Sequence, residues 1–136
     1  MSAAQVFLDS GIFIAFLNRR DLHHEQAVRL FSGSRPGWST SVLVRSETYS
    51  WFLHKHGEEA ARSFRFMLDS LEGLRVFDAD AAHHEDACKI LDRLRGAKLT
   101  YVDASSLALI ARHGIRKVWA TDHHLGLTGA EVVLRS

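Results

Sequence analysis

Short apolar runs rich in β-branched and aromatic residues alternate with segments of helical periodicity along this 136-residue chain. Such alternation is typical of an α/β fold, in which helices connect the strands of a mostly parallel sheet. The length suits one domain with a single hydrophobic core. We therefore predict one α/β domain over residues 1–136, with a mostly parallel central β-sheet flanked by α-helices.

The pattern predicts five strands and six helices. The strands are predicted at 5–9, 38–40, 74–77, 117–120 and 131–134. The helices are predicted at 10–17, 23–31, 42–55, 58–71, from residue 78 or 80 to about 95, and from 103 to 113. Ser41 is a candidate cap for the third helix, and Asp78 or Asp80 for the fifth.

Neither a membrane nor an oxidising compartment is indicated. The longest apolar stretches fall far short of the roughly 20 residues that a bilayer span requires, and the N-terminus carries no signal-peptide pattern. Cys88 is the single cysteine, so it has no partner for a disulfide within the chain. We expect a cytoplasmic protein that does not enter the membrane.

Four acidic residues stand where apolar runs end or helices begin. Asp9 and Asp122 each follow a strand-like run, and the carboxyl edge of a parallel sheet is where ligands bind. Glu47 lies on a helix stripe that begins with the apolar Leu43, and Asp103 opens the predicted sixth helix. Asp103 could equally be a plain N-terminal cap. We interpret the four acids as one cluster that holds metal ions.

Clustered carboxylates need a cation, because like charges a few ångström apart disfavour ionisation. Mg²⁺ or Mn²⁺ suits oxygen ligands, and two such ions about 4 Å apart can promote phosphodiester hydrolysis. Three neighbouring hydroxyls, of Ser10, Thr40 and Thr121, could support the carboxylates or the metal-bound waters. Each of them could also be a local cap.

The charge outside the cluster favours a polyanionic substrate. Setting the four acids aside leaves 12 acidic residues against 17 Lys and Arg, a balance of about +5. For any single Arg, an ordinary solvated helix face remains the alternative. His123 and His124 directly follow Asp122 and could contact a substrate phosphate. Trp38, Trp51, Trp119, Tyr49 and Tyr101 could stack on RNA bases or pack in the core or an interface.

Four segments, in this order, resemble the PIN domain. They are VFLDS at residues 6–10, STS at 39–41 followed by Glu47, YVDASSLA at 101–108 and ATDHH at 120–124. Together the resemblance runs from about Val6 to Val133 and is similar in order and spacing to the compact VapC toxins. Two positions depart from the commoner family pattern: Gly11 follows Asp9-Ser10, and Leu125 stands where an aromatic is frequent.

The resemblance implies a three-layer α/β/α domain and a Mg²⁺- or Mn²⁺-dependent ribonuclease that hydrolyses phosphodiester bonds in RNA. It implies that Asp9, Glu47 and Asp103 are the principal catalytic and metal-binding acids, with Asp122 as the fourth. It also implies an RNA substrate, a cognate antitoxin that occupies the cleft, and a homodimer. The alternatives are a catalytically inactive PIN-fold module that binds RNA or protein, and a stand-alone nuclease without an antitoxin.

A receiver domain is a rival from another class, since it also places acids around Mg²⁺ at strand ends. It requires an acidic pair after the first strand and a lysine at the end of a late strand. Here Asp9 stands alone, and residues 120–122 are Ala-Thr-Asp.

Overall fold

The computed structural model describes residues 5–33 and 35–134, and its centre is a five-stranded sheet in which every pairing is parallel. The strand order is β3-β2-β1-β4-β5. The strands are β1 (Gln5–Leu8), β2 (Gly37–Ser41), β3 (Arg75–Phe77), β4 (Lys117–Trp119) and β5 (Glu131–Val133). The predicted parallel sheet is confirmed, and each strand lies within two residues of its predicted bounds. The ends of the predicted 1–136 domain lie outside the described residues.

Six α-helices flank the sheet and give the three-layer α/β/α arrangement. They are α1 (Ser10–Leu17), α2 (His24–Ser32), α3 (Val42–His56), α4 (Glu58–Ser70), α5 (Ala81–Arg93) and α6 (Tyr101–Arg112), and a short 3₁₀ helix spans His123–Gly126. Within the part of the chain that the structure describes, no helix has the length and apolarity needed to cross a bilayer.

The central strand β1 is buried on both faces. Val6, Phe7 and Leu8 are all buried consecutively rather than alternately. A continuous apolar run is what a parallel strand requires when helices cover both sides of the sheet. The core therefore extends to both faces of β1, and the residue that follows Leu8 comes directly after a fully buried stretch of chain.

Side-chain caps determine where three helices begin. Ser41 Oγ accepts from Val44 N at 3.1 Å, and Asp80 Oδ1 accepts from His83 N at 2.8 Å, so Asp80 rather than Asp78 caps α5. The sixth helix begins at Tyr101, two residues earlier than predicted, because Thr100 is its N-cap. Asp103 is therefore the third residue of α6 and not its cap.

The strand order creates a switch point between β1 and β4. From β1 the chain moves outward to β2 and β3, and it then returns to place β4 on the other side of β1. Crevices at the carboxyl ends of strands where the winding direction reverses are the usual ligand sites of open α/β sheets. The fold therefore provides a site next to Leu8 and Trp119, the last residues of the two strands.

Candidate active site

Asp9 lies directly at the switch point. Its backbone N–H donates to Trp119 O at 3.1 Å, which continues the pairing of β1 with β4 by one residue. The residue is 6% exposed, so its carboxyl group is held at the base of the crevice between the two strands. The predicted position of Asp9, at the carboxyl edge of a buried strand, is the observed one.

The surroundings of Asp9 disfavour its charge. The pKa of Asp9 is raised from 3.8 to about 7: burial is the largest cause, a backbone hydrogen bond from Ser10 opposes it, and the charges of Glu47, Asp103 and Asp122 add to it. Among residues 5–33 and 35–134, no Lys or Arg forms an ion pair with any of these four carboxylates. The pKa of Asp9 thus indicates that the other three predicted acids lie near enough to act on it electrostatically.

Glu47 approaches the same crevice from α3. Burial raises the pKa of its carboxyl group, a hydrogen bond from the Ser10 side chain lowers it, and the charges of Asp103 and Asp122 raise it again. The residue as a whole is exposed. Glu47 is therefore at the solvent side of the cluster, whereas Asp9 is at its base.

Asp103 takes part in the cap of α6 and also lies near the other acids. It belongs to a capping box, in which Thr100 Oγ1 accepts from Asp103 N and Asp103 Oδ2 accepts from Thr100 N, each at 3.1 Å. The same Oδ2 atom lies 3.7 Å from His124 Nδ1. The capping box therefore fixes the position of the same carboxylate oxygen that lies near His124.

Asp122 lies three residues after the end of β4 rather than directly at the strand end. It is the N-cap of the 3₁₀ helix, and its Oδ1 accepts from His124 N at 2.9 Å. The sequence predicted a loop here, and this helical turn was missed. The turn brings the carboxyl group of Asp122 back toward α6, which places it close to Asp103.

His124 joins two of the acids. Its Nδ1 lies 3.1 Å from Asp122 Oδ1 and 3.3 Å from Oδ2, in addition to the 3.7 Å to Asp103. One ligand atom from each of Asp103, Asp122 and His124 lies within 4.8 Å of the other two. His123 is more exposed, and its Nδ1 is 3.8 Å from Asp122 Oδ1. The sequence placed His124 near the site but contained no signal for its contact with Asp103.

The three predicted supporting hydroxyls differ in what they contact. The Ser10 side chain lies near enough to Glu47 to lower the pKa of its carboxyl group, as expected of a group that supports the acids. Thr40 Oγ1 donates instead to Leu8 O at 2.8 Å, so its proton is committed to the β1 backbone one residue before Asp9. Thr121 packs against Gly11, where an added Cβ would overlap Thr121 Oγ1. Glycine at position 11 is therefore what allows α1 and the loop after β4 to meet.

Two of the five aromatic candidates belong to the core. Trp119 and Trp38 are 4% and 5% exposed and pack with Phe31. Tyr101, at the start of α6, is the most exposed of the five aromatic candidates, at 38%. Its hydroxyl is hydrogen-bonded to His84 Nδ1 at 2.8 Å. Base stacking is therefore excluded for the two core tryptophans.

The donor set fits a hard divalent cation. Glu47, Asp103 and Asp122 lie close enough to the deeply buried Asp9 for their charges to raise its pKa, and no Lys or Arg among the described residues forms an ion pair with any of the four. Oxygen-rich sites of this kind suit Mg²⁺ and Mn²⁺. The uncompensated charge at Asp9 is the structural reason for expecting a cation here.

Comparison with known proteins identifies the family. The PIN domain family model matches residues 6–129, nearly the whole chain. The chain therefore belongs to the PIN domain family.

Particular relatives are similar over almost their full length. The 23S rRNA-specific endonuclease VapC20 of Mycobacterium tuberculosis is 29% identical over 124 residues, which cover 91% of this chain and 94% of VapC20. The crystal structure of that protein, described as a sarcin-ricin loop cleaving toxin, superposes with a TM-score of 0.84 over 92% of this chain and 95% of the other. A toxin-antitoxin complex from Klebsiella pneumoniae shares the fold, with a TM-score of 0.62 at 19% identity, over 94% and 95% of the two chains.

Proposed function

We propose that this protein is a divalent-metal-dependent endoribonuclease and the toxin of a toxin-antitoxin pair. The observation that carries the proposal is the proximity of Glu47, Asp103 and Asp122 to the buried Asp9, whose pKa is raised first by burial and then by the charges of these three acids. All four acids are present, which favours a nuclease over an inactive binding module. Burying a carboxyl group beside other acids lowers the stability of the fold, and an inactive module has no use for such a group.

The four acids would hold Mg²⁺ or Mn²⁺. When bound, the cation would supply an activated water and stabilise the charge that develops on the phosphate. Asp9, at the base of the crevice, would ionise as the cation offsets the neighbouring negative charges. Asp103, from α6, and Asp122, from the loop after β4, would supply further carboxylate ligands.

Glu47 is the acid best placed to act on water. It lies on the solvent side of the cluster, and burial together with its neighbours raises its pKa toward the range in which a carboxylate is an effective base. The neighbouring Ser10 side chain partly opposes this rise in pKa. We propose that Glu47 accepts the proton of the attacking water while the water oxygen forms the new bond to phosphorus. The bond to the leaving oxygen breaks, and that oxygen departs with the electron pair and takes a proton from solvent.

The substrate class is structured RNA, with a ribosomal RNA loop as the first candidate. The relative that acts on 23S rRNA matches nearly the whole chain. The excess of basic over acidic residues outside the cluster would attract the RNA backbone, and the exposed His123 is placed to contact a phosphate beside the acids. Such a substrate would be met in the cytoplasm.

The proposed partners are an antitoxin and a second copy of the chain. An antitoxin would restrain cleavage by covering the acidic crevice, as the fold shared with a toxin-antitoxin complex suggests. Apolar side chains that are exposed on the described surface offer contact area for these partners; they include Leu22, Phe66 and Leu127. The molar mass of the purified protein in solution tests the homodimer.

RNA cleavage tests the proposal directly. Purified full-length protein is incubated with Mn²⁺ or Mg²⁺ and a 23S rRNA fragment that contains the sarcin-ricin loop, beside RNAs of unrelated structure. We expect metal-dependent cleavage that chelator abolishes. Asp9→Asn and Asp103→Asn should each lower the cleavage rate at least about 100-fold, since each removes charge that the transition state needs.

The matched control is Asp92→Asn, an equal change of charge at an exposed position on α5. This variant should cleave at the rate of the unmodified protein. Cleavage that persists in Asp9→Asn and Asp103→Asn would contradict the assignment of the site. Absence of metal-dependent cleavage on every RNA would favour the inactive binding module.

A further inference from the structure

One imidazole nitrogen lies between two carboxylates of the cluster. His124 Nδ1 is 3.1 Å from Asp122 Oδ1 and 3.7 Å from Asp103 Oδ2. Asp103 lies in α6 and Asp122 is the N-cap of the 3₁₀ helix, so the two acids are 19 residues apart along the chain. The three side chains are all partly shielded, with exposed fractions of 25% for His124, 13% for Asp103 and 39% for Asp122. This is the convergence expected of ligands from separate segments.

The separations of these atoms suit a single ion. Ligand atoms that share one ion at a bond length of about 2.1 Å lie about 3 Å apart when adjacent and about 4.2 Å apart when opposite. The nitrogen-to-oxygen distances of 3.1 and 3.7 Å lie within this range. One atom of each residue lies within 4.8 Å of the others, so small side-chain adjustments would bring all three to the same ion.

A second observation points to a ligand at this place. Asp9 is only 6% exposed, and its pKa is raised first by burial and then by neighbouring charges that include those of Asp103 and Asp122. No Lys or Arg in the described ranges forms an ion pair with Asp9 that would offset this charge. The cluster that contains His124 therefore has a deeply buried acid behind it and a demand for positive charge.

We propose that His124 is a direct metal ligand, which binds one divalent cation through Nδ1 together with Asp103 and Asp122. The proposal rests on the cation site of the proposed function and makes that site a mixed nitrogen and oxygen site. Imidazole is a poorer ligand for Mg²⁺ than for transition metals, whereas carboxylates suit both. The protein should therefore bind Mn²⁺ more tightly than Mg²⁺, and His124 should be the reason.

The alternative role of His124 is structural. Its ring could simply donate a hydrogen bond to Asp122 Oδ2, at 3.3 Å, and fix the turn that begins at Asp122. Its backbone N–H already secures this turn through Asp122 Oδ1, and a change of side chain leaves that bond available. A structural role would affect stability without placing a nitrogen on the metal.

The test is a spectroscopic measurement on the full-length protein with bound Mn²⁺. Pulsed electron paramagnetic resonance detects the coupling of a directly bound imidazole ¹⁴N to the Mn²⁺ electron spin. Dissociation constants for Mn²⁺ and Mg²⁺ are measured by calorimetry on the same samples. The variants are His124→Ala, His124→Asn and the matched control His123→Ala, which alters the neighbouring and more exposed ring.

We expect the ¹⁴N coupling in the unmodified protein and in His123→Ala, and its loss in His124→Ala. The Mn²⁺ affinity of His124→Ala should fall at least about tenfold. In His124→Asn an amide oxygen takes the place of Nδ1, so Mg²⁺ binding should be retained while the preference for Mn²⁺ over Mg²⁺ shrinks. His124→Asn also guards against misfolding, because it keeps a polar side chain of similar reach.

A ¹⁴N coupling that survives in His124→Ala, or Mn²⁺ affinity that is unchanged in that variant, would overturn the proposal. RNA cleavage is not a readout of this experiment. A protein that shows the nitrogen signal but cuts no RNA would support His124 as a ligand and defeat the proposed nuclease. A protein that cuts RNA but shows no nitrogen signal from bound Mn²⁺ would support the proposed nuclease and contradict His124 as a ligand.

Discussion

Two polar side chains are buried to a similar depth, but their surroundings differ. His83, between α5 and α6, is 2% exposed, and its Nε2 is paired with Ser105 Oγ at 2.6 Å. Asp9, at the switch point of the sheet, is 6% exposed and faces three further carboxylates. The first group exchanges its bonds to water for one within the protein, whereas the second loses hydration and gains repulsion. The comparison separates polar burial that stabilises the fold from polar burial that a ligand must offset.

Of the two buried groups, Asp9 should have the larger effect on the free energy of unfolding. The folded protein keeps the Asp9 proton up to its pKa of about 7, whereas the unfolded chain releases it near 3.8. The unfolded state therefore binds fewer protons between these values, so stability in chelator should fall as pH rises from about 4 to about 7 and then level off. The full difference corresponds to about 4 kcal/mol.

Asp9→Asn removes this dependence because the amide cannot ionise. Urea denaturation in chelator should show the variant more stable than the unmodified protein by up to about 4 kcal/mol at pH 8 and nearly equal to it at pH 4. Added Mn²⁺ should narrow this difference at pH 8, since the unmodified protein, with its ionised Asp9 beside the cation, gains more binding energy from the ion than the variant does. Equal pH slopes for the two proteins would show that Asp9 carries no such penalty.

The opposite sign is expected at the paired group. His83→Ala leaves Ser105 Oγ without its partner and opens a cavity between α5 and α6, so it should destabilise the protein by about 3 kcal/mol. Thermal and urea denaturation in chelator measure this. Ser105→Ala, which removes less volume, should cost about 1 kcal/mol. A stabilising His83 variant would remove the distinction between the two buried groups.

The sequence predicted those parts of the fold and site that depend on local patterns. The strand β1 and helix α1 follow from an apolar run and a helical period, and the caps Ser41 and Asp80 follow from their residue types. The contact of His124 with Asp103 depends on where two distant segments meet, and no local pattern encodes it. The predicted start of α6 was wrong for a different reason. The Thr-x-x-Asp spacing of a capping box is present in the sequence from Thr100, and it marks the true start of the helix.

The capping box of Thr100 and Asp103 gives the prediction with the smallest expected effect. Thr100→Ala removes the acceptor of Asp103 N and should cost about 1 kcal/mol in urea denaturation. The Thr100 backbone N–H still donates to Asp103 Oδ2, so the carboxylate keeps its orientation toward His124 and Asp122. RNA cleavage should therefore change little, in contrast to the loss expected for Asp103→Asn, and Thr100→Ser should restore the stability. A collapse of cleavage in Thr100→Ala would mean that the hydroxyl of Thr100, and not the backbone bond alone, holds Asp103 in the site.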